Sequence, residues 1–232
     1  MKRCARHCMN NKNSQKMRRI VLILLMALHL NALAQQATAP IEGFRVEKID
    51  DATFLEMQGK SFPANCTVKR DELRKVNVLH CDATGETRRG VIICHQEIAQ
   101  DLLEIFQELY EKGYPIERIS PIDCYDANDE LSMRANNTSC FCFRSVAGSA
   151  KLSKHAQGLA IDINPLYNPY VKRRRDGTLF VQPTTGRPYV DRSKTFSYKI
   201  TPEDLCYRLF RQHGFTWGGS WKSCQDYQHF EK

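Results

Sequence analysis

The sequence predicts a single α+β domain with a central antiparallel sheet flanked by helices, and three observations carry that reading. Gln96 to Lys112 places Ile98, Leu102, Ile105 and Leu109 on one face at helical spacing, and Gly113 follows as a stop. Three short apolar runs, Gly90–Cys94, Ile116–Ile122 and Leu159–Ile163, are expected to be strands. The 232 residues contain no internal repeat and no low-complexity tract, so one domain with or without an extension fits the length.

Residues 1–34 are expected to leave the mature protein. Seven basic residues, Lys2 to Arg19, precede an apolar run from Ile20 to Leu30, and Ala32-Leu33-Ala34 follows as an A-x-A cleavage site. Met17 begins a shorter version of the same signal. The apolar run is short for a membrane span, so no stable span is expected once the signal is cleaved. The expected location is bacterial and exported, periplasmic or secreted. No cysteine closely follows the cleavage site, so a lipid anchor is not indicated.

The signal also carries the charge. The whole chain has 34 basic and 26 acidic residues, a net +8, and none of the acidic ones lies in residues 1–34. The remainder is close to neutral, at +1. The basic balance therefore reflects targeting and gives no support to nucleic-acid binding. Eight cysteines remain beyond the signal: Cys66, Cys81, Cys94, Cys124, Cys140, Cys142, Cys206 and Cys224. An even number in an exported chain allows disulfides, and Cys206 with Cys224 is the favoured pair; the alternative is that several are buried thiols. No C-x-x-C pair points to a structural zinc site.

Residues 35–85 have mixed character and are expected to form an N-terminal extension packing on the core, with the main domain at 86–232. Asp123 to Ser139 is a polar, acidic loop too long to be idle. Asn164 to Asp191, rich in Pro, Gly and Arg, is an irregular excursion. Thr201 as N-cap and Pro202 at the first turn start a second helix that runs to about Gln212 and stops at Gly214. Gly218-Gly219 then turns the chain into a last strand containing His229. His80, His95 and His213 are expected to be ordinary core or surface histidines, and Trp217 and Phe230 core packing. Arg173, Arg174 and Arg175 are expected to be a solvated loop.

Two segments hold the chemistry: Ser153-Lys154-His155-Ala156-Gln157-Gly158-Leu159-Ala160-Ile161-Asp162 and Asp226-Tyr227-Gln228-His229. Catalytic zinc takes three protein ligands and keeps one position open. His155, Asp162 and His229 can supply the three, and Asp226 is left over as a general base. Gly158 and Ala160 let the chain pass from a turn into a strand between the first two ligands. The H-E-x-x-H arrangement on a helix is absent. Arg144 is the candidate for stabilising a developing oxyanion, with Arg134 second. Ser139 and Ser153 are candidate substrate donors, and the tract Asn136-Asn137-Thr138-Ser139 is expected to line the same cleft.

Ser-x-His-x-x-Gly-x-Ala-x-Asp followed by Asp-x-x-His resembles the zinc D-alanyl-D-alanine carboxypeptidases, VanY-like peptidases of the Hedgehog/D-Ala-D-Ala peptidase superfamily. The resemblance is strongest from about Tyr125 to Lys232. It implies a Hedgehog/D,D-peptidase-like fold, Zn2+ on His155, Asp162 and His229, Asp226 as base and Arg144 on the scissile carbonyl. Other members carry Glu where this chain has Asp226. The implied substrates are peptidoglycan stem peptides containing D-amino acids. The expected reaction is that of a D,D-carboxypeptidase; the alternatives are an L-Ala–D-Glu or cross-link endopeptidase, or a zinc-containing wall-binding module without activity. A binding module has no need of a base, so Asp226 speaks for an enzyme.

Overall fold

A computed structural model describes residues 42–146 and 150–232. The expected signal peptide lies outside the described residues. Residues 43–232 form one compact unit. Among the described residues no helix is long and apolar enough to cross a membrane.

The architecture is α+β, but the expected single central sheet is replaced by several small ones. Strands β1 (Arg45–Lys48), β2 (Leu73–Cys81) and β3 (Thr87–His95) make an antiparallel meander, with the short helix α1 (Asp51–Met57) between β1 and β2. Helix α2 (Gln96–Glu111) packs on β2. Its face of Ile98, Leu102, Ile105 and Leu109 is buried as the periodicity predicts, joined by Ala99 and Phe106. Each large side chain so buried contributes about 1.5–3 kcal/mol before entropic costs. The boundary expected near residue 85 falls in the β2–β3 turn, so residues on both sides of it share one sheet.

The stretch from Asp123 to Ser139 is not one loop. It contains helix α3 (Asp129–Arg134), whose N-cap Asn128 accepts from the Leu131 amide at 3.0 Å. Strand β4 (Arg118–Ile119) pairs in parallel with β5 (Asn137–Thr138). Strand β6 (Ala160–Asp162) follows. The excursion is likewise more ordered than expected: β7 (Tyr170–Arg173) and β8 (Leu179–Gln182) form a hairpin, while Arg173, Arg174 and Arg175 are exposed in and beside its turn. Helix α4 (Leu205–Gln212) starts later than expected. Its cap is Asp204, which accepts from the Cys206 amide at 2.7 Å, and Thr201 only closes the preceding turn.

Strands β9 (Thr216–Trp217), β10 (Gln225–Asp226) and β11 (His229–Glu231) complete two sheets. One has the order β6-β11-β9 and the other β10-β7-β8. Phe230 is fully buried, stacks on Phe210 at 4.3 Å and lies over Trp217, so both aromatics are core as expected. All eight described cysteines are free thiols, and the favoured Cys206–Cys224 pair is not formed. Cys206 instead faces the interior from α4, where burial raises its thiol pKa well above the ordinary range.

Candidate metal centre

Register brings two of the three proposed ligands together. Asp162 on β6 is directly opposite His229 on β11. Residues directly opposite in an antiparallel pair point to the same face. Ile161 and Phe230, one step along, point the other way and are fully buried. The core on one face therefore fixes which residues reach the other.

The third ligand comes from a single 3-10 turn, Lys154–Gln157. Ser153 caps it, its hydroxyl accepting from the His155 amide at 3.2 Å. Gly158 ends it at φ +69, where a Cβ would lie 2.7 Å from the His95 nitrogen. The Gly158 carbonyl accepts from that same His95 N–H, pinning the turn to the start of α2. Ser153 thus helps to hold the ligand turn as an acceptor, which leaves its O–H proton free to donate.

The donor atoms of His155, Asp162 and His229 lie within 4.8 Å of one another. His155 Nε2 is 3.2 Å from His229 Nδ1 and 3.4 Å from Asp162 Oδ2, and His229 Nδ1 is 3.1 Å from Asp162 Oδ1. The outer nitrogens are occupied. His155 Nδ1 donates to the Cys140 carbonyl at 2.6 Å, and His229 Nε2 donates to Glu231 Oε2 at 3.1 Å. A neutral imidazole has one ring proton, so the inner nitrogens are left as two lone pairs facing each other and a carboxylate. Such a cluster calls for a cation at its centre, and two imidazoles with one carboxylate are donors that zinc accepts. With no ion at the centre, a proton on His229 supplies that positive charge. Burial disfavours a charged His229, but the Asp162 and Glu231 carboxylates outweigh it and hold the ring up at about 10. Burial also opposes the Asp162 charge, and His155 and His229 override it, keeping this carboxyl well below its usual range.

Asp226 stands apart from the ligand set. It lies on β10, opposite Tyr170 of β7, so the excursion supplies the strand that positions it. The buried Gln228 donates to Asp226 Oδ1 at 3.2 Å. Burial pushes the Asp226 carboxyl up to about 6, against the pull of His229. A Cβ on Gly218 would meet Asp226 Cβ at 2.8 Å and His229 Cβ at 3.2 Å, so this glycine lets a single loop back both residues.

Arg144 is brought to the same neighbourhood. Its carbonyl accepts from the Ser153 amide at 3.1 Å, and Ser145 bridges to Leu152. Burial works against its charge, and Asp129, with Nε to Oδ2 at 2.5 Å, and more distant Asp162 keep it protonated. Arg134 is exposed at the end of α3. Ser139 bridges to Asp162 in antiparallel register, which puts its side chain on the same face as the ligands.

The rest of the tract expected to line the cleft is instead interior. Asn136, Asn137 and Thr138 are buried and bonded to main chain and neighbours. Asn136 accepts from the Leu166 amide, Asn137 from Ser120, and Thr138 Oγ1 from the Asn164 amide. The three set-aside histidines are structural: His80 bonds the Ile116 carbonyl, His95 caps α2 and His213 meets Asp101. Glu231, which accepts from His229 Nε2 behind the candidate ligand set, was not anticipated from the sequence. Alternation along a strand puts residues 229 and 231 on one face, and that signal was available.

Residues 147–232 match the family model described as D-alanyl-D-alanine carboxypeptidase. The matched stretch contains His155, Asp162, Asp226 and His229, while Ser139 and Arg144 precede it. The family that the two motifs resemble is thus the one this part of the chain matches, which supports a peptidase. No curated protein and no solved structure matches the chain significantly.

Proposed function

We propose that the protein is an exported, zinc-dependent peptidase that hydrolyses peptidoglycan stem peptides beside a D-amino acid, as a D,D-carboxypeptidase. The observation that carries this reading is the set of three inward donors, two of them imidazoles whose outer nitrogens are already bonded, with a separate carboxylate beside them. His155 through Nε2, His229 through Nδ1 and Asp162 would hold the ion. Zinc, when bound, supplies Lewis acidity toward the scissile carbonyl and makes water easier to deprotonate.

The remaining steps belong to side chains. Asp226, with a carboxyl raised toward neutrality, takes the proton of the attacking water and passes it to the leaving amine. Gln228 holds one carboxylate oxygen, leaving the other for proton transfer. Arg144 offers positive charge to the carbonyl oxygen as it becomes an oxyanion. Ser139, on the ligand face, offers a hydroxyl to the substrate. A Hedgehog/D,D-peptidase-like core belongs to the same reading, with β1 and β2 joined to it through the sheet they share with β3.

The test uses purified mature protein and muropeptides, with and without a zinc chelator, followed by product analysis. Release of terminal D-alanine that stops with chelator and returns with zinc is expected. Cleavage at another stem-peptide bond would move the protein to the endopeptidases, and an absence of chelator-sensitive cleavage would sink the enzyme reading.

A further inference from the structure

The hairpin that positions Asp226 also presents an open face beside it. Asp226 of β10, Tyr170 of β7 and Gln182 of β8 are opposite one another in register. Their side chains therefore share one face of the sheet. Two residues further along the hairpin, Lys172 and Phe180 form the next row of that face. The two rows are about 7 Å apart. The other face carries Val171 and Val181, and both are buried against the core. Beyond Asp226, the outward rows stay open: Tyr170, Gln182 and Phe180 are partly exposed and Lys172 is exposed.

The far end of this face is cationic, and its charge is not balanced. The Arg174 guanidinium lies over the Phe180 ring at 5.1 Å, which brings it to the same face as Lys172. Asp176, the carboxylate of the turn, accepts from the Thr178 amide and hydroxyl and draws on Arg174 only at longer range. Glu130 of the neighbouring α3 is engaged as well, accepting from the Thr184 amide and hydroxyl. Among the described residues Lys172 and Arg174 have no ion-pair partner, and both are exposed. Arg173, between them in sequence, belongs to the opposite face and donates to the Gly177 carbonyl.

A run of cations in a turn is ordinarily a solvated surface. Two features set Lys172 and Arg174 apart. Register aligns Lys172 with the proposed base, and the Phe180 ring supports Arg174 over the same rows. The Glu130 contact also ties the exit of the hairpin to α3, whose Asp129 meets Arg144. The hairpin and the candidate oxyanion group are thus anchored to one short helix.

We infer that this face is the acyl-side subsite of the proposed peptidase and selects a peptide with a side-chain carboxylate on the second residue before the scissile bond, gripped by Lys172 and Arg174. Asp226 marks the cut under the peptidase reading above, and the subsite rests on that reading. Two residues of an extended peptide span about 7 Å, the separation of the two rows. A carboxypeptidase leaves one residue beyond the scissile bond, so a track of this length takes the residues before it. Arginine offers a carboxylate paired N–H donors, and lysine adds a mobile charge.

The test uses acetyl-Glu-D-Ala-D-Ala and acetyl-Gln-D-Ala-D-Ala, which differ only in the carboxylate. Zinc-loaded wild type is compared with Lys172→Gln/Arg174→Gln and with Arg173→Gln, and the readout is the ratio of kcat/KM for the two peptides. The wild type should favour the acidic peptide about fivefold at low salt, mainly through KM, as expected for exposed charge pairs. The preference should shrink as salt rises. It should disappear in the double variant, with an unchanged unfolding temperature. Arg173→Gln removes the same charge from the same segment on the other face, and should keep the preference. A wild type that does not distinguish the peptides, an equal loss on both peptides in the double variant, or the same effect from Arg173→Gln would overturn the proposal. Calorimetric binding of both peptides to Asp226→Asn, with and without Lys172→Gln/Arg174→Gln, keeps the two readings apart. An acid preference in binding that the cations supply, without hydrolysis by the wild type, removes the peptidase and leaves the subsite. Hydrolysis without an acid preference removes the subsite and leaves the peptidase.

Discussion

The sheet that carries two of the proposed ligands and the sheet that carries the proposed base are built differently, although only Tyr227 and Gln228 separate them in sequence. The ligand sheet β6-β11-β9 has a buried back: Ile161 and Phe230 are inaccessible and Trp217 nearly so. Both ligand rings are bonded at the outer nitrogen as well. The base sheet β10-β7-β8 is lighter. Only Val171 and Val181 of its residues are buried, and Lys172 and Arg173 are exposed. A metal site needs fixed geometry, because a ligand displaced by a fraction of an ångström loses its bond. A base acts on a proton and must adapt as substrate enters and product leaves, so a lighter support suits it. Metal affinity and turnover should therefore respond to different sets of substitutions.

The sharpest break is His229→Ala, which removes a ligand from the buried sheet. Zinc binding, read by chelator competition, and hydrolysis should be lost together; retained stoichiometric zinc would mean the ligand set is wrong. Asp226→Asn should cut kcat by about 10²–10⁴-fold while zinc content stays unchanged. Full turnover in that variant would remove Asp226 from the mechanism. Glu231→Gln leaves the ligands in place but weakens the acceptor behind His229. Zinc affinity should fall by roughly 10–100-fold, with kcat at saturating zinc little changed; unaltered affinity would make the 3.1 Å contact incidental.

Two smaller effects refine the contrast. Val171→Ala thins the back of the base sheet and should cost about 1.5 kcal/mol of stability. It should also lower kcat a few-fold without moving zinc affinity; a matching loss of affinity would show the two sheets to be one unit. The last effect is a pH dependence. Burial raises the Asp226 carboxyl from 3.8 to about 6, so the fold prefers its neutral form. Its stabilising contribution is full below 3.8 and is lost as pH rises through about 6. In zinc-free protein, the wild type should lose unfolding temperature relative to Asp226→Asn across that window. A constant difference between the two would refute the raised carboxyl.

The candidate ligands His155 and Asp162 were legible because they sit within ten residues with small ones between them, His229 because it closes a second short motif, and α2 because burial repeats at helical spacing. Other elements were hidden for physical reasons. The β7–β8 strands are four residues each, too short for alternation to stand out beside an Arg-rich turn. At α4, Thr201-Pro202 fits the rule for a helix start, yet Asp204 holds the capping bond; local signals compete, and the tertiary position of Cys206 decides. Asn136 and Asn137 were expected to line the cleft, and Asn164 and Asn168 fall in the stretch expected to be an irregular excursion. Their burial makes sense only once each amide has found a main-chain or side-chain partner from a distant segment. Pairings over such separations leave no trace in the local pattern.

Gly218 backs the proposed base and a proposed metal ligand with the same hydrogen atom. No larger residue can enter there without moving both Cβ atoms, so the two functions share one point of failure. In a descending lineage the base and the ligand could not be lost one at a time by change at this position. A chain that kept Gly218 but replaced Asp226 would stand out as one that had given up turnover while preserving its metal.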